Sequence, residues 1–330
     1  MSRLVPLFVL LLALPAYAAG ERRGWFVECA AGFSALDPTD LNARLEGRQA
    51  RADFLYRDGY LAQQRVSGGA FAYVLEEPAD SGLRPLRGGF PLALRFGRAL
   101  GPRVAVFAGL QFLERRRSSR LEQVHRIDDH RPDQVTAPGL YAIEYSFPEF
   151  FLSARAWSPQ LGAVVELLRR RSWSGGVRLA AGPLFAALRV LEEQRYRLTE
   201  ADGYWSEWQQ VYDLRGRGTG VAAEAMARLR LDLSRQLALH LEGGYALRRA
   251  GRVSGRGRYE TQTRDRNAAQ DPQRQEWQAE WRVWREGLQR EWGAIEYDLS
   301  GNDAGAATAS RRFRLDLSGW ELAAGVSLAL

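Results

Sequence analysis

The stretch VAAEAMARLRLDLSRQLALHLEGGYAL, residues 221–247, decides the fold class. Taken at every second position, Val221, Ala223, Ala225, Ala227, Leu229, Leu231 and Leu233 form one apolar row. After Ser234-Arg235-Gln236 a second row returns through Leu237, Leu239, Leu241, Gly243, Tyr245 and Leu247. A period of two belongs to a β-strand, whose side chains alternate between faces. The intervening positions hold Glu224, Arg228, Arg230, Asp232, His240 and Glu242. Two strands joined by so short a connection are antiparallel neighbours. In a membrane barrel such an apolar row faces lipid and the polar row faces the lumen.

The last eleven residues repeat the pattern. Trp320, Leu322, Ala324, Val326, Leu328 and Leu330 share one face, and Glu321, Ala323, Gly325, Ser327 and Ala329 share the other. Upstream, Phe313, Leu315 and Leu317 alternate in the opposite phase, which predicts a bulge at Ser318-Gly319 that resets the register. Two further short turns are legible: Ala99-Leu100-Gly101-Pro102, and Arg169 to Ser174. The first strand runs from Trp25 to Phe33, with Trp25, Val27, Cys29, Ala31 and Phe33 on its apolar row.

One N-terminal strand, three turn-linked pairs and one closing strand give eight. An even count puts both termini on the periplasmic side. The long connections, roughly 34–88, 114–155, 192–218 and 250–311, then all fall on the extracellular side. Gly69 to Leu75 and Tyr141 to Leu152 supply either extra strands, for ten or twelve, or extensions above the membrane.

Residues 1–18 read as a signal peptide and 19–330 as one barrel domain. Arg3 precedes an apolar run from Leu4 to Leu14, and Ala16-Tyr17-Ala18 fits the small-x-small cleavage pattern. The apolar run is too short to span a bilayer as a helix. All 46 basic residues are arginine, and the formal charge of +7 is too modest to imply nucleic acid. The single Cys29 excludes an intramolecular disulfide.

The lumen-facing parity gathers Glu28, Arg95, Glu166, Arg178, Glu224, Arg228, Arg230, Asp232, His240, Glu242 and Glu321. An arginine on the lipid face at the bilayer midplane costs about 2–4 kcal/mol, so confinement of charge to one parity supports the assignment. An eight-stranded barrel is only wide enough for side chains, so these groups are expected to fill it as an Arg–carboxylate network. A charged, water-filled pathway for small polar solutes is the alternative.

His125-Arg126-Ile127-Asp128-Asp129-His130 is a cluster of His and carboxylate, ligand types for a divalent ion; a solvated polar loop is the simpler account. It is similar to the Asp and His pairs of outer-membrane proteases, which draw their sites from separate strands. His240 lacks the Ser two residues away found in outer-membrane lipid A deacylases, because Glu242 stands there. The expectation is no enzyme, no catalytic residue, no cofactor and no metal, with a hydrolase as a lesser alternative. In the last connection Arg248, Arg249, Arg252, Arg256 and Arg258 are candidate contacts to anionic lipid, since arginine is shaped for phosphate. Asp271-Pro272 followed by Trp277, Trp281, Trp284 and Leu288 favours a short helix with one aromatic face, although Trp277, Ala279, Trp281 and Val283 also alternate as a strand would.

The strand framework resembles small outer-membrane barrels of the OmpA, OmpX and OmpW type. Ser158-Pro159-Gln160-Leu161-Gly162 through Gly175-Gly176-Val177-Arg178-Leu179 resembles major-outer-membrane-protein-like pore formers. The resemblance implies an antiparallel up-and-down barrel in the outer membrane of a Gram-negative-type bacterium. Its implied partners are outer-membrane lipid, lipopolysaccharide and the barrel assembly machinery, the last through the terminal strand, in which Leu330 replaces the usual aromatic. The barrel is read as monomeric, with a structural or surface-interaction role.

Overall fold

A computed structural model of the chain describes residues 24–36, 38, 40–42, 45, 71–76, 82–129, 139–170, 172–199, 203–286, 294–296 and 307–330. The strands are β1 (Trp25–Leu36), β2 (Phe71–Glu76), β3 (Phe90–Ala99), β4 (Val104–Asp129), β5 (Gly139–Arg169), β6 (Trp173–Thr199) and β7 (Trp205–Asp232). They continue with β8 (Leu237–Asp265), β9 (Gln273–Glu280), β10 (Arg282–Glu286), β11 (Ala294–Glu296), β12 (Ala307–Arg312), β13 (Leu315–Asp316) and β14 (Gly319–Ala329). The proposed signal peptide and His130 lie outside the described residues.

Eight strands close the barrel in the order β1-β3-β4-β5-β6-β7-β8-β14, each antiparallel to its neighbours, with β14 returning to β1. Closure leaves no edge in the lipid zone, where an unpaired backbone group has no water to turn to. The three short turns stand where the alternation ends, after β3, β5 and β7. Outward residues form a continuous apolar belt. On β6 it runs from Trp173 through Leu179 to Phe185, both Trp173 and Leu179 being exposed. That span covers about 25–30 Å at ordinary strand rise and tilt. Phe33, Phe90, Phe112, Trp157, Phe185, Tyr245 and Trp320 mark its upper margin, and Trp157 stacks on Phe185 at 4.2 Å. Trp25 and Trp173 mark the lower margin, Trp25 stacked on Phe96 at 5.0 Å.

Above the upper margin much of the expected loop is strand. The segments 114–155 and 192–218 belong largely to β4–β7, so Tyr141 to Leu152 is an extension of β5 rather than a ninth crossing. Among the described residues β2 pairs with the outer end of β4. The predicted helix is corrected: residues 273–280 and 282–286 are strands, and β9 folds back on β8 with Trp277 opposite Gly257. Trp277 and Trp281 find slots over glycine, since a side chain at Gly257 would run into the Trp277 indole and one at Gly216 into that of Trp281. Strand pairing satisfies the backbone, buries Trp281 and partly covers Trp277, an outcome local helix propensity does not weigh.

The bulge expected at Ser318-Gly319 is also corrected. Leu315 opposite Ala250 and Gly319 opposite Ala246 keep one register. Phe313, Leu315 and Leu317 are buried on the same inward parity as Glu321. What changes there is the interior, which is charged within the lipid zone and largely apolar above it, with Glu192 and Gln194 buried among the upper side chains. The upper core collects Leu113, Leu121, Phe147, Phe150, Leu152, Val190, Leu214, Val253, Trp281 and Phe313, capped from the side by Leu41, Leu45, Leu83 and Leu86. Asn42 pins this cap by a reciprocal pair of hydrogen bonds, its Nδ2 donating to the Leu86 carbonyl and its Oδ1 accepting from the Leu86 amide. Asp40 accepts from the Arg311 guanidinium and from the Arg314 amide.

Candidate functional site: the charged lumen

Strand alternation carries the core of the lumen group inward from six strands of the wall. Glu28 comes from β1, Arg95 from β3, Arg178 from β6, Glu224 and Arg228 from β7, Glu242 from β8 and Glu321 from β14. All seven are buried. Arg95 donates to both oxygens of Glu242, at 3.1 and 2.9 Å. Arg228 grips both oxygens of Glu28 and reaches Glu242 at 3.4 Å. Arg178 bridges the two halves, with Nε donating to Glu242 at 3.1 Å and Nη1 to Glu224 at 2.8 Å.

Arg248 is corrected from a lipid contact to a lumen residue, being 1% exposed. The inward parity of β8 runs on through Ala246, Arg248 and Ala250, so Leu247 is the last lipid-facing residue below it. Its guanidinium donates to Glu321 at 2.7 Å, Glu224 at 2.9 Å and Gln111 at 3.3 Å. Gln111 and Gln160, which a search for charges alone overlooks, close the upper side. Gln160 Nε2 donates to Glu224 at 3.1 Å and to Gln111 Oε1 at 3.2 Å. Inward parity on β4 and β5 would have found both. Four guanidinia thus meet four carboxylates, the balance that burial of charge demands.

Three predicted members stand apart, at the periplasmic mouth. Arg230 and Asp232 pair with each other at 2.9 Å and are half-buried. Glu166 lines a vestibule of about 350 Å3 together with Trp25, Glu28, Arg103, Arg228 and Arg230. Above that vestibule a cavity of about 10 Å3 lies inside the network, bounded by Arg95, Gln111, Arg178, Glu242 and Glu321.

His240 lies beside the network, 3% exposed, with neither ring nitrogen hydrogen-bonded. Its ring takes the space a side chain at Gly325 would need. Glu28, His240 and Glu242 bring ligand-type atoms within 4.8 Å of one another. Both carboxylates are already held by arginine, so a metal ion there must displace a guanidinium. Of the other cluster, His125, Asp128 and Asp129 lie in the outer part of β4, opposite Leu75, Ala72 and Phe71 of β2.

The remaining predicted arginines, Arg249, Arg252, Arg256 and Arg258, face outward above the aromatic margin and are exposed. They belong to a wider girdle. Glu114 sits between Arg116 and Arg155 at 2.6 and 2.5 Å. Asp213 sits between Arg189 and Arg215 at 3.0 and 2.8 Å. Glu260 likewise joins Arg258 and Arg274, and Glu280 joins Arg252 and Arg312. Burial pushes the Asp213 carboxyl up, but hydrogen bonds from Arg189 and Arg215 outweigh it and hold the group below the ordinary range.

A closed eight-stranded antiparallel barrel with an apolar belt, aromatic margins and a polar lumen is an outer-membrane β-barrel protein, and this chain is one. No family model matches the sequence, and no curated protein does. Among solved structures the chain is similar to the outer membrane protease OmpT from Escherichia coli. Identity is 9% and the TM-score 0.30, over 95% of this chain and 99% of that one. The expectation that the chain is not an enzyme is withdrawn, since the structure found is a protease. At that identity and score the likeness carries no activity, site or substrate across.

Proposed function

We propose that the lipid-zone barrel is a sealed anchor and that its function resides in the strand-built wall above the membrane, as a surface-interaction module. The observation that supports this reading is the filled lumen. Four Arg–Glu partnerships and two glutamines leave a cavity of about 10 Å3, room for a single water. The apolar core above the network adds a second barrier. A porin-like path for polar solutes requires both to be absent. Planar-bilayer recordings test it: the barrel gives no defined conductance steps at neutral pH, and regular steps overturn the reading.

The arginine girdle gives the wall its partner. Each carboxylate fixes two guanidinia and leaves their outer edges to solvent, a surface suited to the phosphates of lipopolysaccharide just above the aromatic margin. Residues 1–18 are the export signal in this reading, with 19–330 the mature barrel. It works as a monomer, and β14 presents the terminal pattern to the barrel assembly machinery.

A further inference from the structure

Above the apolar core the inward parity continues. On β6 it passes from Val190 to Glu192, Gln194 and Tyr196, and on β7 from Leu214 to Tyr212, Gln210 and Trp208. On β8 it passes from Gly257 to Tyr259, Thr261 and Thr263. The ladders joining these strands keep register throughout the stretch, so the side chains stand in rows. Tyr196 is opposite Trp208, and Trp208 is opposite Thr263. One row lower Gln194, Gln210 and Thr261 are level, and below them Glu192, Tyr212 and Tyr259. β9 widens the sheet, with exposed Gln273 and Gln275 opposite Thr261 and Tyr259. With about 6–7 Å between rows and 4.7–4.9 Å between strands, the face is a platform roughly 13–15 Å on a side.

Its chemistry differs from that of the wall it backs. Outward positions on the same strands carry Glu193, Arg195, Arg197, Asp213, Arg215 and Arg258. Among the residues of the inward rows Glu192 alone is charged, and it is buried and accepts from Gln194. The others are aromatic rings, amides and hydroxyls. Tyr196 and Tyr212 rest on the apolar core beneath. Tyr212 lies 4.9 Å from Tyr259 between ring centroids, and Gln210 Nε2 donates to the Tyr259 hydroxyl. Trp208 is 36% exposed although it faces inward, so its ring is open to the mouth. Thr261 Oγ1 is buried and makes no hydrogen bond, an arrangement that a ligand hydroxyl would relieve.

Amides and hydroxyls both donate and accept, which matches the hydroxyls of a sugar. Aromatic faces take up the apolar C–H side that a pyranose ring also presents. An anionic ligand would find no counter-charge in these rows, and a single-stranded nucleic acid needs a basic groove beside the rings. Tyr196 lies eleven residues beyond Phe185, the aromatic margin of β6, which is about 25–30 Å at strand rise and tilt. We infer that this inner face of the upper wall is a binding site for a neutral oligosaccharide. The site requires the upper wall to be the interacting part of the molecule, and depends on neither the sealed lumen nor the outer arginines.

The full barrel, refolded in an alkyl polyoxyethylene detergent so that no sugar headgroup competes, is labelled and applied to an array of neutral, sialylated and sulfated oligosaccharides. Binding to neutral members is expected, and calorimetry with the strongest of them should give a saturable isotherm. Trp208→Ala should weaken it about tenfold, the worth of one aromatic face. Trp208→Phe should lose less, as should Thr261→Val. Trp205→Ala, on the outward face of the same strand, should leave affinity unchanged. All these positions lie far above the lipid zone, so each variant should keep the heat-modifiable gel shift of a folded barrel. Competition assigns the source. Displacement by the lipid-free polysaccharide of the cell's own lipopolysaccharide identifies the surface coat, and its failure to displace identifies an external glycan. Absence of binding to neutral members, or binding confined to acidic ones, overturns the site, as does equal affinity in folded Trp208→Ala. Conductance steps in a bilayer would overturn the sealed anchor and leave this titration untouched.

Discussion

The half of the barrel within the lipid and the half above it are built inside out with respect to each other. Below the aromatic margin the wall is apolar and the interior holds Arg95, Arg178, Arg228 and Arg248 against four glutamates. Above it the wall carries Arg116, Arg155, Arg189 and Arg215, while the interior holds Phe147, Phe150, Trp281 and Phe313. The same strands run through both zones with the same parity. The surrounding solvent therefore sets which chemistry each parity takes, and the fold needs no break to accommodate the exchange.

The comparison breaks most severely at Glu242, which three arginines share. Glu242→Ala leaves uncompensated guanidinium charge in a closed space, and a loss on the order of 3–5 kcal/mol is expected. Urea unfolding from vesicles, followed by tryptophan fluorescence, measures it; an unchanged midpoint would mean the network does not hold the lower half together. A smaller effect belongs to the upper half. Gly257→Val overfills the slot under Trp277 and should cost about 1–3 kcal/mol. Hydrogen exchange should place the loosening in β8 and β9 and spare the turns on the periplasmic side.

The least effect lies on the outer wall. Because the Asp213 carboxyl is depressed in the folded state, its contribution is present above its unfolded value of about 3.9 and is lost as pH falls through the depressed one. Its arginine partners are largely exposed, so the contribution stays below about 1 kcal/mol. Asp213→Asn should flatten that part of the acid limb in a pH series of unfolding midpoints; an unaltered limb would show the cluster to be energetically silent.

The lower half was legible in the sequence because lipid imposes a long apolar row, and three turns broke that row at one end. The upper half was not. In Arg215-Gly216-Arg217-Gly218, paired with Val253-Ser254-Gly255-Arg256, glycine faces in and arginine faces out. Such a tract reads as a solvated loop until its partner is known. The tryptophans between 277 and 284 fit helical and strand spacing alike, and only the glycine slots across the sheet decide between them. Eleven lumen residues, from Glu28 to Glu321, were picked from parity with no knowledge of their partners. Arg248 was assigned to the rim because it adjoins Arg249, although it shares the inward face of Glu242. The partnerships themselves join residues as far apart as Glu28 and Arg228, a separation over which local pattern is silent.

The junction of β1 with β14 has a bearing on how the molecule assembles. Cys29-Ala30-Ala31-Gly32 lies opposite Ala323-Ala324-Gly325-Val326, small residues facing small residues along the line that joins the beginning of the barrel to its end. Such a seam offers little side-chain surface to hold an early encounter, and its two strands are separated by nearly the whole chain. Non-local pairing of this kind is slow. Barrel closure is therefore expected to be the late event of insertion, with the sheet from β3 to β8 already zipped through its short turns and the membrane held open beside an unfastened edge until β14 arrives.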